Sequence, residues 1–319
     1  MAIERELRLL AGRSHPKLAQ QIAKKLKVRL TKVEVGNFAN GEIYFRINES
    51  VRGSDVFIIQ THSPSVNEHV IEQALMIDAA KRASAKSITA VCPFLGYGRQ
   101  DRKSYGREPI AAKLIVDILS SAGADRIMAV DLHSGQIQGF FDGPFDHLIA
   151  MPIFVRQLKK LPAKNLVIVS PDAGRVKLAE RYASLLGCDI AIIHKHRSAT
   201  KRNHAEARYL IGDVKGKTCV VADDMIDTAS TLGPAAKLLV DNGAKKIYAV
   251  ATHGIFSGPA LDRIENSAFE KIIVSSTLPT NFKSKKIEVV SIAPLIADAI
   301  TAVFERKSVS AIFGGRNQI

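Results

Sequence analysis

Short, almost uninterrupted apolar runs recur along this 319-residue chain, and they constrain its fold more than any other feature. Segments with helical periodicity separate them. The runs span residues 56–60, 88–94, 127–131, 166–170, 191–194, 218–222, 248–252 and 272–275, and the helical segments span 67–83, 110–121, 174–186 and 232–242. Parallel strands are continuously apolar in this way because helices cover both faces of their sheet. The pattern predicts an α/β fold with mainly parallel sheets flanked by helices.

A repeated block indicates that the chain holds two similar domains. Gly123 and His133 recur as Gly243 and His253, each offset by 120 residues (243 − 123 = 120). In both copies a helix exit precedes a predicted strand, and the histidine follows that strand. The length is sufficient for two cores of ordinary size. We predict a first domain over residues 1–150 and a second over 151–302.

Residues 218–231 combine an apolar strand, two adjacent carboxylates and a loop of small and hydroxyl residues. Asp223 and Asp224 are suited to accept hydrogen bonds from two neighbouring sugar hydroxyls. Backbone N–H groups at a helix start, together with the hydroxyls of residues 227–231, are suited to surround a phosphate. The alternative is an ordinary strand followed by an acidic helix cap. Paired acids and four small residues exceed what a cap requires, which favours a site for a phosphorylated ribose.

His133 and Asp172 each directly follow a predicted strand, one in each predicted domain. Ligands of open parallel sheets bind beyond the carboxyl ends of the strands. We therefore expect both side chains to face a cleft between the domains. An imidazole and a carboxylate there could hold a Mg²⁺ ion that bridges phosphate oxygens. The alternative for His133 is a purely structural role.

The run Arg99-Gln100-Asp101 follows a predicted strand and a loop with two glycines. A guanidinium at this position could neutralise a triphosphate, and an amide could pair with an adenine edge. The alternative is a solvated charge run, which most such runs are. A second short motif, Asn40-Gly41, by itself predicts only a hairpin turn.

Composition limits the partners that the chain is expected to have. The formal net charge is +14, which favours acidic ligands. Aromatic residues make up only 6% of the chain and tryptophan is absent, so we expect polyphosphate substrates rather than nucleic acid. The three cysteines are far apart and predict reduced thiols, and no membrane span or signal peptide is expected. These features indicate a cytoplasmic protein.

Ordered blocks over residues 11–313 resemble the ribose-phosphate pyrophosphokinase family, also called phosphoribosyl pyrophosphate synthetases. The blocks are NFANGE at 37–42, NESVRG at 48–53, GYGRQDRK at 96–103, DLHSGQIQGFF at 131–141, SPDAG at 170–174 and the segment 218–231. The resemblance implies two domains of the type I phosphoribosyltransferase fold. It also implies Mg²⁺-dependent transfer of pyrophosphate from ATP to the C1 hydroxyl of ribose 5-phosphate, which yields phosphoribosyl pyrophosphate and AMP.

The resemblance also implies a role for each site residue. The catalytic residues would be Lys195 and Arg197, in a basic loop, and His133 and Asp172 would hold Mg²⁺. ATP would contact Arg99, Gln100, Asp101 and His133 of one subunit and Phe38, Asn40, Gly41 and Glu42 of a neighbouring subunit. Ribose 5-phosphate would contact Asp223, Asp224, Asp227, Thr228, Ala229, Ser230 and Thr231.

Further implications concern assembly and control. An ATP site shared between subunits implies a homo-oligomer, expected to be a hexamer. Ser50 and Arg52 match part of a regulatory site that binds phosphate and ADP. The segment 303–319 is expected to pack back on the first domain.

The chain also departs from the family pattern. Arg175 and Ser230 each replace a usual glycine, His194 replaces an acidic residue, and His196 replaces an arginine. These departures leave open a non-catalytic regulatory subunit that keeps the fold. A phosphoribosyltransferase that consumes the activated sugar is the other alternative, although it would not require the Arg99-Gln100 motif.

Overall fold

The computed structural model describes residues 5–161, 165–196 and 207–313. These residues form two compact units. The first contains the described residues up to Ile149, together with Ser276–Thr280 and those from Ser291 onward. The second contains Ala150–Ser275 and Asn281–Val290.

The first unit is built on a five-stranded parallel sheet. Its elements up to residue 149 are β1 (Leu7–Ala11), α1 (Pro16–Leu26), β2 (Val33–Asn37), β3 (Ile43–Ile47), β4 (Asp55–Ile59), α2 (Val66–Arg82), β5 (Ser87–Cys92), α3 (Ala111–Ala122), β6 (Arg126–Val130) and β7 (Phe145–Leu148). The strand order is β1-β4-β5-β6-β7, and every pair is parallel. All five residues of β4 are buried, as expected for a strand covered on both faces.

The second unit is built on a seven-stranded sheet. Its elements are α4 (Met151–Leu158), β8 (Leu166–Ser170), α5 (Val176–Leu186), β9 (Asp189–His196), β10 (Ala207–Ile211), β11 (Thr218–Ile226), α6 (Leu232–Asp241), β12 (Lys246–Gly254), α7 (Ala260–Glu265), β13 (Lys271–Ser275) and β14 (Ile287–Val290). The order is β10-β9-β8-β11-β12-β13-β14, and only β10 is antiparallel to its neighbour. The predicted α/β fold with mainly parallel sheets flanked by helices is confirmed.

The repeated sequence block has the same local structure in both units. Gly123 follows α3 with φ +119°, and Gly243 lies just beyond α6 with φ +81°. Both angles belong to the left-handed region that glycine enters without steric cost. A buried parallel strand, β6 or β12, begins three residues later.

A final helix, α8 (Ala293–Phe304), returns to the first unit. Most of its residues are apolar and seven of them are buried, and the helix packs against α1. Arg5 holds its end, because Nη1 donates to the carbonyl of Phe304 at 2.5 Å. We predicted that residues up to 302 belong to the second domain, whereas Ser276–Thr280 belongs to the first unit and the chain returns to that unit for good at Ser291. The apolar surface of α8 explains this earlier return.

Candidate active site

Asp223 and Asp224 lie where β11 passes the end of β8. The last β8 residue that pairs with β11 is Val169, opposite Val221, whereas pairing with β12 continues to Ile226. The adjacent carboxylates therefore occur at the carboxyl edge of the sheet, where ligands of parallel sheets bind. Asp224 is buried and Asp223 is half-buried. Asp223 Oδ1 also accepts the N–H of Asp224 at 2.9 Å.

Arg175 bridges these two carboxylates. Its Nε lies 3.1 Å from Asp223 Oδ1, and its Nη2 lies 2.7 Å from Asp224 Oδ1. Burial at the strand end and the negative charge of Asp224 raise the pKa of Asp223 well above its usual range, and the Arg175 guanidinium opposes this rise. From the sequence, Arg175 is only a departure from the family pattern. The feature that could have indicated its role is a long cationic side chain where the resemblance implies glycine.

The loop that joins β11 to α6 holds Asp227, Thr228, Ala229, Ser230 and Thr231 in a fixed backbone path. The carbonyl of Asp227 accepts the N–H of Ser257 at 3.0 Å, and that of Thr228 accepts Arg263 Nη1 at 2.8 Å. Ala229 is buried with φ +54°, and Thr231 is the cap residue of α6. Nothing in the sequence indicated the contact from Arg263.

The left-handed turn at Ala229 has a chemical consequence. A non-glycine residue at positive φ is uncommon and costs about 1–2 kcal/mol. Successive backbone N–H groups in such a turn are suited to surround an anion, and here a helix start follows at once. Thr228 Oγ1 and Ser230 Oγ lie 3.1 Å apart, so two hydroxyls also lie close together here.

Asp172 lies two residues beyond β8 at the same edge of the second unit's sheet. It is half-buried, and its Oδ1 accepts the N–H of Gly174 at 2.9 Å, which orients the carboxylate. This hydrogen bond caps a short 3-10 turn, Ala173–Arg175, that leads into α5. The same turn therefore carries both the predicted metal ligand and the arginine that bridges Asp223 and Asp224.

The predicted catalytic residues lie on and after β9. Ile192 is opposite Ser170, the last residue of β8, so β9 continues beyond the end of β8. Lys195 belongs to this extension, where its backbone pairs with Arg208 of β10. Arg197 lies outside the described residues.

In the first unit, His133 follows β6 by three residues and is half-buried. Asp131 and Leu132 are buried beside it, and Leu132 donates its N–H to His147 Nε2 at 2.9 Å. Gly98 packs against His133, because a Cβ built on Gly98 would lie 3.6 Å from the His133 Cβ. The loop before Arg99 therefore lies directly beside the histidine.

Arg99 and Gln100 are exposed, and Asp101 is half-buried. Gln100 donates its N–H to the Tyr97 carbonyl at 2.9 Å, and its own carbonyl accepts the N–H of Ala112 at 3.2 Å. The backbone of this segment is therefore tied to the start of α3 while the side chains of Arg99 and Gln100 reach solvent.

The β2–β3 hairpin presents Phe38, Asn40, Gly41 and Glu42 at its tip. Phe38 is 55% exposed, and its ring meets the edge of Tyr44 at a centroid distance of 5.8 Å. The Phe38 N–H donates to the Glu42 carbonyl at 2.8 Å, and Asn40 Oδ1 accepts the N–H of Glu42 at 3.1 Å. Gly41 adopts φ +93°, which the turn requires. An exposed aromatic ring on an ordered hairpin is suited to bind a flat ligand.

Ser50 and Arg52 are exposed on either side of the buried Val51. Glu49 is engaged by Arg29 through two contacts of 2.6 and 2.5 Å and by the N–H of Lys32 at 2.9 Å. These hydrogen bonds lower the pKa of Glu49 to about 2. The structure therefore fixes the backbone leading into the predicted regulatory residues.

The second unit brings Asp172, Arg175, Asp223 and Asp224 to one sheet edge, together with the loop 227–231. Among the described residues, no cluster of three or more His, Cys, Asp or Glu side chains could hold a metal ion. Magnesium commonly keeps waters and substrate oxygens and needs few protein ligands. The oriented Asp172 carboxylate fits such a sparse site.

No helix in the described ranges has the length and apolar character that crossing a membrane requires.

Two family models match the chain. The N-terminal domain of ribose phosphate pyrophosphokinase matches residues 7–123, and the phosphoribosyl synthetase-associated domain matches residues 203–314. Each covers a different part of the chain, so the resemblance does not rest on the segment 218–231 alone.

Similar proteins cover nearly the whole chain. The ribose-phosphate pyrophosphokinase of Bifidobacterium longum is 50% identical over 316 residues, which cover 97% of this chain and 93% of the relative. That of Streptomyces coelicolor is 50% identical over 313 residues, 97% of each chain. The crystal structure of phosphoribosylpyrophosphate synthetase from Mycobacterium smegmatis superimposes with a TM-score of 0.90 at 50% identity, covering 94% of this chain and 99% of that chain. With this identity over nearly full length, the chain belongs to the ribose-phosphate pyrophosphokinase family of enzymes.

Proposed function

We propose that this protein transfers the pyrophosphoryl group of ATP to the C1 hydroxyl of ribose 5-phosphate, producing phosphoribosyl pyrophosphate and AMP for nucleotide biosynthesis. The observation that carries the proposal is the carboxyl edge of β11, where two carboxylates precede a left-handed turn and a helix start within one unit, a geometry suited to an anion. The name shared by relatives that are 50% identical supports the same reaction.

Ribose 5-phosphate is assigned to this edge. The backbone N–H groups and hydroxyls of residues 227–231 would bind the 5-phosphate at the start of α6. Asp223 and Asp224 would accept hydrogen bonds from the sugar hydroxyls and so orient C1. The direct attack of that hydroxyl on the β-phosphorus requires no nucleophile on the protein, so positioning and charge neutralisation carry the catalysis.

ATP is proposed to bind beside the segment Arg99-Gln100 of the first unit. Arg99 and Gln100, exposed beside His133, would contact the triphosphate and adenine, with Asp101 next to them. Asp172 and His133 would hold Mg²⁺, which when bound neutralises phosphate charge. Phe38, Asn40, Gly41 and Glu42 would complete the adenine site of a neighbouring subunit. Lys195 and Arg197 would contact the transferred pyrophosphoryl group.

Assembly and control extend the proposal. Sharing of the adenine site predicts a homo-oligomer, proposed to be a hexamer in the cytoplasm, and light scattering on the purified protein measures this directly. Ser50 and Arg52, both exposed, are proposed to contribute to a site for phosphate and ADP. Activation by phosphate combined with non-competitive inhibition by ADP would support that site, and purely competitive inhibition by ADP would contradict it.

The proposed reaction is tested with the purified protein alone. Incubation with ATP, Mg²⁺ and ribose 5-phosphate should release AMP, followed with a coupled assay. Absence of AMP release would favour the non-catalytic regulatory subunit. Consumption of phosphoribosyl pyrophosphate with a nucleobase, without a requirement for ATP, would favour a phosphoribosyltransferase.

A further inference from the structure

The Arg175 side chain connects two parts of the second unit that are distant in the sequence. Arg175 ends the 3-10 turn after β8, whereas Asp223 and Asp224 lie near the end of β11. These two strands are neighbours in the sheet, so their carboxyl ends are adjacent. The arginine side chain crosses this short gap and reaches both carboxylates.

Arg175 forms a short, partly buried ion pair with each carboxylate. The two nitrogen-to-oxygen distances, 3.1 Å to Asp223 and 2.7 Å to Asp224, are those of ion pairs, and the shorter one is typical of a charge-assisted hydrogen bond. The exposed fractions of the side chains are 20% for Arg175, 22% for Asp223 and 8% for Asp224. An ion pair with this burial is screened by solvent less than an exposed one.

Without the arginine, two neighbouring carboxylates would repel each other at the edge where an anionic sugar phosphate must enter. The guanidinium offsets one of the two negative charges. It also uses different nitrogens for the two carboxylates, so a planar group fixes the orientation of both. A lysine ammonium is a single point charge and has no such fork.

We propose that Arg175 is a positioning residue for ribose 5-phosphate, holding Asp223 and Asp224 in the arrangement that accepts the sugar hydroxyls. The inference rests on the proposed function of this edge. It assigns to Arg175 a role in sugar binding rather than in the chemical step. Arg175 thereby becomes part of the site.

The test compares three variants with the wild type. Arg175→Met keeps the length of the side chain and removes the charged fork. The KM for ribose 5-phosphate should rise about 10- to 100-fold, as expected when a charged hydrogen-bond partner is lost. The KM for ATP and kcat should stay close to their wild-type values. Arg175→Lys should recover only part of the loss, because a point charge cannot hold both carboxylates in one geometry.

The third variant, Lys217→Ala, is a matched control. Lys217 precedes β11 at its opposite end, and its Nζ lies 3.2 Å from Asp189 and 3.3 Å from Asp213. Removing this cation alters an ion-paired group next to the same strand without touching the carboxyl edge. Its KM for ribose 5-phosphate should equal that of the wild type.

A double-mutant cycle separates positioning from a general structural effect. Asp224→Asn and Arg175→Met should each raise the KM for ribose 5-phosphate, and the double variant should be little worse than Asp224→Asn alone. Independent, multiplying effects would overturn the proposal. An unchanged or lower KM in Arg175→Met, or full recovery by Arg175→Lys, would also overturn it. These results differ from failure of the proposed function, which would leave the wild type itself without turnover.

Discussion

At the scale of single residues, Lys195 is the residue that we propose acts in the chemical step. If it contacts the pyrophosphoryl group only as charge shifts during transfer, its removal should lower kcat far more than it weakens binding. Losing one preorganised charged donor costs about 3–4 kcal/mol of transition-state stabilisation, on the order of 10²–10³ in rate. Steady-state kinetics of Lys195→Ala should therefore show a much lower kcat with nearly unchanged KM values. A near-wild-type kcat would remove Lys195 from the mechanism.

His62 is a buried residue that the proposed mechanism does not use. Its Nε2 donates to Gln73 Oε1 at 2.7 Å, while its Nδ1 accepts the N–H of Gly96 at 3.1 Å. The Gln73 side chain is itself oriented, because its Nε2 donates to the carbonyl of Ile58 at 3.1 Å. Both ring nitrogens of the neutral imidazole are thus hydrogen-bonded, one as donor and one as acceptor. Burial lowers the pKa of His62 to about 4 from its usual 6.5.

This lowered pKa predicts acid sensitivity. Between pH 6.5 and 4 the unfolded chain binds a proton at His62 that the folded protein does not bind, so the free energy of unfolding falls as the pH falls. The contribution of His62 should decrease by about 2 kcal/mol from pH 7 to pH 5. Urea unfolding at both pH values should show a smaller decrease in His62→Asn than in the wild type. Equal decreases in the two proteins would contradict the assignment.

Residue type and order predicted that Asp172 and His133 follow parallel strands and that Asp223 and Asp224 lie near the carboxyl end of one, because polar residues end an apolar run at the sheet edge. The partners of these groups were not predictable. The contact of Arg175 with Asp223 depends on the adjacency of β8 and β11, which one sequence does not specify. The neutral state of His62 was not predictable either, because it depends on burial and on the contact with Gln73, which one sequence does not specify.

At the scale of elements, the loop between β11 and α6 depends on the left-handed conformation of Ala229. A β-branched side chain is strongly disfavoured at positive φ, and Ala229 is buried, so a larger side chain would have to enter the packed interior. Ala229→Val should displace the loop and raise the KM for ribose 5-phosphate at least about tenfold, with a smaller effect on the KM for ATP.

A glycine at the same position is the matched control. Ala229→Gly adopts the same φ without strain and should retain a KM close to the wild-type value. Kinetics of the two variants side by side test the loop geometry. Unchanged ribose 5-phosphate affinity in Ala229→Val would show that this backbone conformation does not matter for the sugar phosphate.

The apolar runs predicted the central strands because those strands are covered on both faces. Their ends were predicted less well: β11 continues to Ile226 and β12 to Gly254, beyond the predicted 222 and 252. There, backbone pairing such as Met225 with His253 persists after the apolar pattern stops. Edge strands such as β7 and β14 were missed, because they are short and only partly buried.

At the scale of the whole molecule, the return of the chain to its first unit depends on α8. Ile296 is completely buried in this helix. Ile296→Ala should lower the free energy of unfolding by about 3 kcal/mol, as other large-to-small core substitutions do. Lys307→Ala, an exposed residue just beyond the helix, should change it by less than about 0.5 kcal/mol. Urea unfolding of both variants measures this, and equal stabilities would contradict the packing of α8.

The internal repeat predicted two domains but not that the chain crosses back twice. Ser276–Thr280 also belongs to the first unit, where the Thr277 carbonyl accepts Thr61 Oγ1 at 2.8 Å. A crossing of this kind has no local signature, because it is made by contacts between residues more than 200 positions apart. The repeated block covers only a helix exit and one strand in each unit, so it could not report such contacts.

Transfer of an intact pyrophosphoryl group can be followed by ³¹P NMR of a complete reaction. ATP, ribose 5-phosphate, Mg²⁺ and the purified protein should yield AMP and a sugar 1-diphosphate in equal amounts, with the 5-phosphate signal retained. Formation of ADP with a sugar carrying two separate monophosphates would show single phosphoryl transfer instead. That result would exclude pyrophosphoryl transfer by this protein.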